Sequence, residues 1–177
     1  TYKGTVAEAA LAAGADLLND IWGLKYDNKI AEVAGKYNRP CCLMHNRNTT
    51  EYNDLMEDVL NDLRESAGIA LAHGVSEDNI ILDPGFGFGK TLAHNYELMN
   101  GLEHFQDLDY PLLVGISRKS MIYKLLGNSP AEALNGTAVL NTISLLKGAN
   151  ILRVHDVREA CEAVKIFRAL SGGEIDR

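Results

Sequence analysis

One unit repeats along the chain and restricts its possible folds more than any other feature. A short apolar run ends in a polar or glycine-rich cluster, and an amphipathic helical segment follows. The runs fall at residues 16–21, 40–45, 79–83, 110–116 and 150–155. Continuous apolar runs of this length suit strands buried on both faces, as in a parallel sheet covered by helices. The 3.6-residue period predicts helices over residues 6–13, 28–37, 53–73, 93–102, 119–126, 131–147 and 157–170, with Gly14, Gly74 and Gly172-Gly173 as breakers. Asp27, Asn53 and Ser129 are the expected N-caps. Strict alternation of strand and helix implies an α/β fold with right-handed crossovers.

Five strands fall short of the eight-stranded (β/α)8 barrel, or TIM barrel, which typically needs about 250 residues. The choice lies between an open doubly wound sheet and a barrel whose first strands are absent from these residues. The sequence begins directly on a helix with no strand before it, and this favours the barrel, as a single domain over residues 1–177. Apolar residues make up 46% and charged residues 23%, as in ordinary soluble domains. A net charge of −7 with no basic run argues against a nucleic-acid partner. No stretch approaches the roughly 20 apolar residues that span a bilayer, so no membrane partner is expected. The start, Thr1-Tyr2-Lys3-Gly4, reads as neither a signal nor a transit peptide. The cysteines are the adjacent pair Cys41-Cys42 and Cys161. Neighbours on a strand face opposite ways, a poor geometry for a disulfide or a metal clamp. All three are expected as small buried apolar residues in a reducing cytoplasm.

In parallel α/β folds, sites form where strands end and helices begin. The first strand ends Asn19-Asp20-Ile21, and the Asn amide can donate and accept at the edge of a heterocycle. The second ends Met44-His45-Asn46-Arg47, where Met44 offers an apolar wall for a flat ring. His45 has no HxH or HxxxH companion and reads as an orienting hydrogen-bonder rather than a metal ligand. The third strand end is the richest, Asp83-Pro84-Gly85-Phe86-Gly87-Phe88-Gly89-Lys90-Thr91. It is no P-loop, because the glycine required at position 84 is Pro84, and glycines at 85, 87 and 89 do not make GxGxxG. A carboxylate at a strand tip before a loop of little bulk suits a small-molecule pocket. Asp83 can accept paired N–H bonds from a guanidine-like edge. The fourth end, Gly115-Ile116-Ser117-Arg118-Lys119-Ser120, sets two cations at a helix N-terminus, where they oppose the helix dipole unless an anion binds there. The fifth, Arg153-Val154-His155-Asp156, puts Arg153 and His155 on one strand face as an expected anion clamp.

Together these strand ends resemble the dihydropteroate synthase family of pterin-binding enzymes, from Thr1 to about Leu170. The most specific pieces are residues 82–90, 115–120 and 152–156, supported by Asn19-Asp20-Ile21 and Leu43-Met44-His45. The resemblance implies a transferase of folate biosynthesis. It would condense 6-hydroxymethyl-7,8-dihydropterin diphosphate with 4-aminobenzoate to give 7,8-dihydropteroate and diphosphate. By matching position, Asn19, Asp83 and Lys119 would hydrogen-bond the pterin, with Ile21, Met44, Phe88 and Gly115 shaping its slot. Arg153 would stack on the pterin and, with His155, hold the diphosphate. Phe88, Lys119 and Ser120 would border the 4-aminobenzoate. Lys119, Arg153 and His155 are the catalytic residues so implied. The family uses Mg2+ on the diphosphate, with no metal ligand expected within these residues, and forms homodimers. It also has an Asp before the Thr-Tyr-Lys, three earlier strands, an early Asn for the metal and two mobile loops, all expected outside this stretch.

The chemistry suits the residues. Diphosphate loss beside an electron-rich pterin has carbocation character, so the enzyme mainly stabilises a departing anion and fixes the ring plane. No Ser-His-Asp set or paired carboxylates at catalytic spacing is needed. Two rivals remain at this point: a methyltransferase domain that binds methyltetrahydrofolate on the same barrel, and a non-catalytic pterin-binding scaffold. The Ser-Arg-Lys-Ser and Arg-x-His-Asp segments speak against the first.

Overall fold

The computed structural model describes residues 1–172. Strands β1 (Leu18–Asp20), β2 (Cys41–Met44), β3 (Ile80–Asp83), β4 (Leu113–Val114) and β5 (Ile151–Leu152) alternate with helices. The helices are α1 (Gly4–Ala12), α2 (Asn28–Tyr37), α3 (Leu55–Ala72), α4 (Leu92–Asn100), α5 (Ser120–Leu126), α6 (Leu134–Leu146) and α7 (Val157–Leu170). Gly173 of the expected breaker lies outside the described residues.

All pairings are parallel: β1 with β2, β2 with β3, and β4 with β5. An isolated parallel bridge, Leu82 to Leu112, joins β3 to β4. The strands therefore lie side by side in chain order, with no reversal of the kind that marks a doubly wound sheet. β2 is buried at every residue, as its unbroken apolar run requires. Cys41 and Cys42 sit there, and burial pushes their thiols up to about 11 and about 12, so both are inert. Cys161 departs from expectation: it is exposed on α7.

The strands are shorter than the apolar runs because the ladder exists only where a neighbour lies alongside. Among the described residues β5 has only β4 alongside and keeps two residues, although the Arg153 amide still bonds the Val114 carbonyl at 3.0 Å. Helix ends shift for local chemical reasons. Asp54, not Asn53, caps α3, its carboxylate accepting the Glu57 N–H at 2.9 Å. α4 starts at Leu92 because Thr91 and His94 form a capping box. Residues expected to open the sixth helix form a separate 3-10 turn, Pro130–Glu132, closed by Ser129 and Glu132. Leu102–Leu108, with no helical period of its own, is a further 3-10 segment. Asp27 caps α2 as expected and also accepts the Gly4 N–H at 2.9 Å, tying α1 to α2. No helix among the described residues is long and apolar enough to cross a membrane.

Candidate active site

The carboxyl ends of all five strands meet around Asp83. Register explains the meeting: Met44 of β2 lies beside Asp83 of β3, and pairing of Val114 with Leu152 brings Gly115 next to Arg153. Asp83 is 1% exposed while the Arg153 side chain is 42% exposed, yet they pair at 2.8 Å. Burial holds the Asp83 carboxyl above its ordinary range, opposed by Arg153 and by the Gly85 N–H donated to Oδ1 at 2.8 Å. The other arm of the guanidinium donates to Asn19 Oδ1 at 2.9 Å. The guanidinium thus lies across β1, β3 and β4 at once. It can do so because Gly115 has no side chain: a Cβ there would stand 2.6 Å from Arg153 Nη2.

The predicted anion clamp is therefore divided. Arg153 turns to Asp83 and Asn19, and His155 binds Ser117, whose hydroxyl accepts the His155 N–H at 3.1 Å and lies 3.0 Å from Nδ1. The two cations after β4 divide as well. Arg118, at φ 54°, faces away from the cleft and pairs with both oxygens of Asp156, at 2.9 and 2.6 Å. It also donates to the carbonyls of Pro130 and Ala131. Its charge is used to join the β4–α5 loop to the 3-10 turn before α6 and to the residue that precedes α7. Lys119 faces the cleft, donating to the Phe86 carbonyl with its ammonium 4.7 Å from the Phe88 ring centroid. Burial pushes Lys119 down to about 8, a shift that Asp83 partly offsets.

Of the remaining expected residues, Met44 is fully buried beneath the glycine loop. Phe88 is half-buried on the loop that follows β3, Ser120 half-buried at the first residue of α5, and Ile21 half-buried after Asn19. Asp20 is buried and serves its own loop, accepting the N–H groups of Trp22 and Leu24 at 3.0 and 2.7 Å. A cleft of about 170 Å³ is lined by Gly115, Ser117, Lys119, Arg153, Val154 and His155. A larger groove of about 540 Å³ runs along β5 and α7, past Leu152, Val164 and Phe167. The smaller cleft is the candidate site, because the polar strand tips converge there and the groove is mainly apolar.

Sequence reasoning missed what holds the glycine loop. Lys90, the lysine of the failed P-loop pattern, turns back beneath its own loop. Its ammonium donates to the carbonyls of Gly85 and Phe88, both at 3.1 Å, and to His45 Nδ1 at 2.8 Å. His45 in turn lies 3.0 Å from Asp62 through Nε2, and Arg47 binds Asp62 at 2.7 Å and Asp58 at 3.1 Å. Gly87 N–H meets Asn95 Oδ1 at 2.7 Å, and the Tyr52 hydroxyl donates to the Gly89 carbonyl at 2.7 Å. The only signal in the sequence was His45, read as an orienting hydrogen-bonder.

Among the described residues no group of three or more His, Cys, Asp or Glu side chains gathers to hold a metal ion. Asp156, beside the cleft, is already committed to Arg118. The residues present thus form no cradle for a cation by themselves.

A sequence model of the family described as "Pterin binding enzyme" matches residues 1–155. The dihydropteroate synthase of Clostridium beijerinckii is 55% identical over 167 residues, which are 94% of this chain and 62% of that protein. The Bacillus subtilis enzyme of the same name is 48% identical over 170 residues, 96% of this chain and 60% of its own length. Among solved structures, the Clostridium difficile dihydropteroate synthase in the presence of pteroic acid superposes with a TM-score of 0.94 at 42% identity, covering 96% of this chain and 65% of that one. The Thermus thermophilus enzyme in complex with 6HMPPP gives 0.91 at 40% identity, covering 96% of this chain and 68% of that one. The chain spans about three-fifths of the length of these two curated relatives. Matched over most of its length, it belongs to the pterin binding enzyme family.

Proposed function

We propose that this protein is a dihydropteroate synthase, a transferase that joins 6-hydroxymethyl-7,8-dihydropterin diphosphate to 4-aminobenzoate in folate biosynthesis. One observation carries the reading: buried Asp83 and neighbouring Asn19 already grip a planar guanidinium, at 2.8 and 2.9 Å. The 2-amino and ring N–H edge of a pterin is guanidine-like and presents the same donors. The pterin takes the place of the Arg153 guanidinium, which moves outward on its half-exposed side chain to stack on the ring and meet the diphosphate beside His155. Met44, Ile21 and Gly115 bound the slot, and Lys119 adds a hydrogen bond to the pterin.

The reaction then needs little from the protein beyond placement and charge. The C–O bond from the pterin methylene to the diphosphate breaks, and its electron pair leaves with the diphosphate, toward Arg153 and His155. The 4-aminobenzoate nitrogen, lying among Phe88, Lys119 and Ser120, supplies the pair for the new C–N bond. It then releases a proton to solvent. Mg2+, when bound, would supply charge neutralisation at the diphosphate; among the described residues only Arg153 and His155 are assigned to that group, and neither would ligate the ion. The five strands are the last five of an eight-stranded barrel, in which β1 and β5 would have further strands alongside. The chain forms one domain, works in the cytoplasm and pairs as a homodimer through its later helices, where Leu126 and Val139 are exposed.

Calorimetry on the full-length protein with the pterin diphosphate, with and without 4-aminobenzoate, tests the reading. Binding followed by diphosphate release only when both are present is the expected result. Binding with no release under either condition would mark a scaffold instead.

A further inference from the structure

We propose that Lys90 is a positioning residue for the pterin slot. Held by His45, it fixes the carbonyls of Gly85 and Phe88 so that the Phe88 ring stands over Lys119. The proposal rests on the pterin reading of the cleft and adds to it a group that touches no substrate.

The donors and acceptors match in number. An ammonium has three N–H bonds, and Lys90 finds three acceptors: Gly85 O, Phe88 O and His45 Nδ1. His45 can accept only if its other nitrogen carries the ring proton, and Asp62, at 3.0 Å from Nε2, fixes that tautomer. Arg47, bound to Asp62 and Asp58, in turn holds the Asp62 carboxylate. Burial and the nearby Lys90 charge hold His45 well below its ordinary range, to about 3, so it is neutral at physiological pH. The result is a chain from α3 through β2 to the loop after β3. The same loop also receives the Lys119 ammonium, on the Phe86 carbonyl.

The loop needs such a clamp. Gly85, Gly87 and Gly89 have φ of 70°, 80° and 56°, conformations that glycine adopts easily and an unrestrained chain leaves as easily. Without Lys90 the Phe88 carbonyl loses its donor and the buried Gly85 carbonyl keeps only the Phe88 N–H, at 3.1 Å, so the loop has reason to rearrange toward water. Phe88 moves with it. The groups that face Lys90 are His45, Asp62, Arg47, Asp83 and Lys119, and burial among them holds its ammonium down to about 7. Neutral Lys90 keeps two N–H bonds for three acceptors, because Asp62 prevents His45 from changing tautomer.

Two measurements on full-length Lys90→Met separate positioning from bulk stability: amide exchange across residues 85–89, and the dissociation constant for 6-hydroxymethylpterin. Loss of these charged hydrogen bonds is expected to weaken pterin binding by about tenfold. It should also speed exchange at Phe88 and Gly89, while exchange in the cores of α2 and α6 stays as in the wild type. The His45→Gln variant, which can still accept from Lys90 and donate to Asp62, is expected to recover most of the affinity that His45→Leu loses. A folded Lys90→Met with wild-type affinity and wild-type exchange at 85–89 would overturn the proposal. So would faster exchange spread evenly over the whole molecule. If Lys90→Met does not fold, the His45→Leu and His45→Gln pair gives the same decision: equal affinities refute it. A wild type that binds no pterin would sink the proposed function, while the exchange pattern would still decide the role of Lys90.

Discussion

At the cleft, Asp83 is buried beyond reach of water while its partner Arg153 stands half in solvent. A buried carboxylate must have donors, whereas an exposed guanidinium can find water, so exchange of Arg153 for a ligand edge costs little if the ligand brings equivalent N–H groups. Arg153→Ala should therefore have opposite effects on two ligands. Binding of the diphosphate-bearing pterin should weaken by about tenfold or more, as expected for a lost charged hydrogen bond. Bare 6-hydroxymethylpterin should bind as well as before or better, its competitor gone. Calorimetry with both ligands checks this, and equal losses on the two would contradict the exchange. Asp83→Asn should weaken both ligands alike, by about 10- to 100-fold. Asp83 and Asn19 were legible in the sequence because each is polar at the tip of an apolar run. The roles of Arg118 and Lys90 were not. Arg118 sits in a segment that reads as anion-binding and Lys90 ends a pattern rejected as a P-loop, and only the fold reveals that their acceptors are Asp156, His45 and backbone carbonyls.

Element by element, the periodicity of α2 and α7 came through well, since both have clear apolar stripes and begin and end where the pattern does. Strand lengths did not, because a ladder ends where its neighbour ends and an apolar run does not record that. Nor did close approaches between elements. Gly35 in α2 lies so near the end of α3 that an added Cβ would overlap the His73 carbonyl. Gly35→Ala is expected to push the two helices apart and lower stability by about 1–3 kcal/mol, read from urea denaturation. It should leave pterin affinity of the folded protein unchanged, since the cleft lies at the opposite ends of the strands. Gly85→Ala should behave differently. Its Cβ would overlap the His45 carbonyl at a φ of 70°, so stability and pterin affinity should fall together.

For the whole molecule, the lysines beneath and beside the loop couple stability to pH. Lys90 and Lys119 are held down to about 7 and about 8, from 10.5 in the unfolded chain. As pH rises from 7 to 9, the folded protein sheds these protons while the unfolded chain keeps them, so this contribution to stability rises with pH. The gain in melting temperature over that interval should be smaller in Lys90→Met, and an unchanged gain would show that Lys90 titrates elsewhere. The parallel direction of the strands was legible as alternation, while their order in chain sequence emerges only from the pairings. What lies alongside β1 and β5 was not, and the barrel reading depends on it. The most direct test of the proposed activity is diphosphate release by the full-length protein, supplied with the pterin diphosphate, Mg2+ and 4-aminobenzoate. Release should match dihydropteroate formed one for one and stop when 4-aminobenzoate is withheld. Tight pterin binding with no diphosphate released in the presence of both substrates would contradict it.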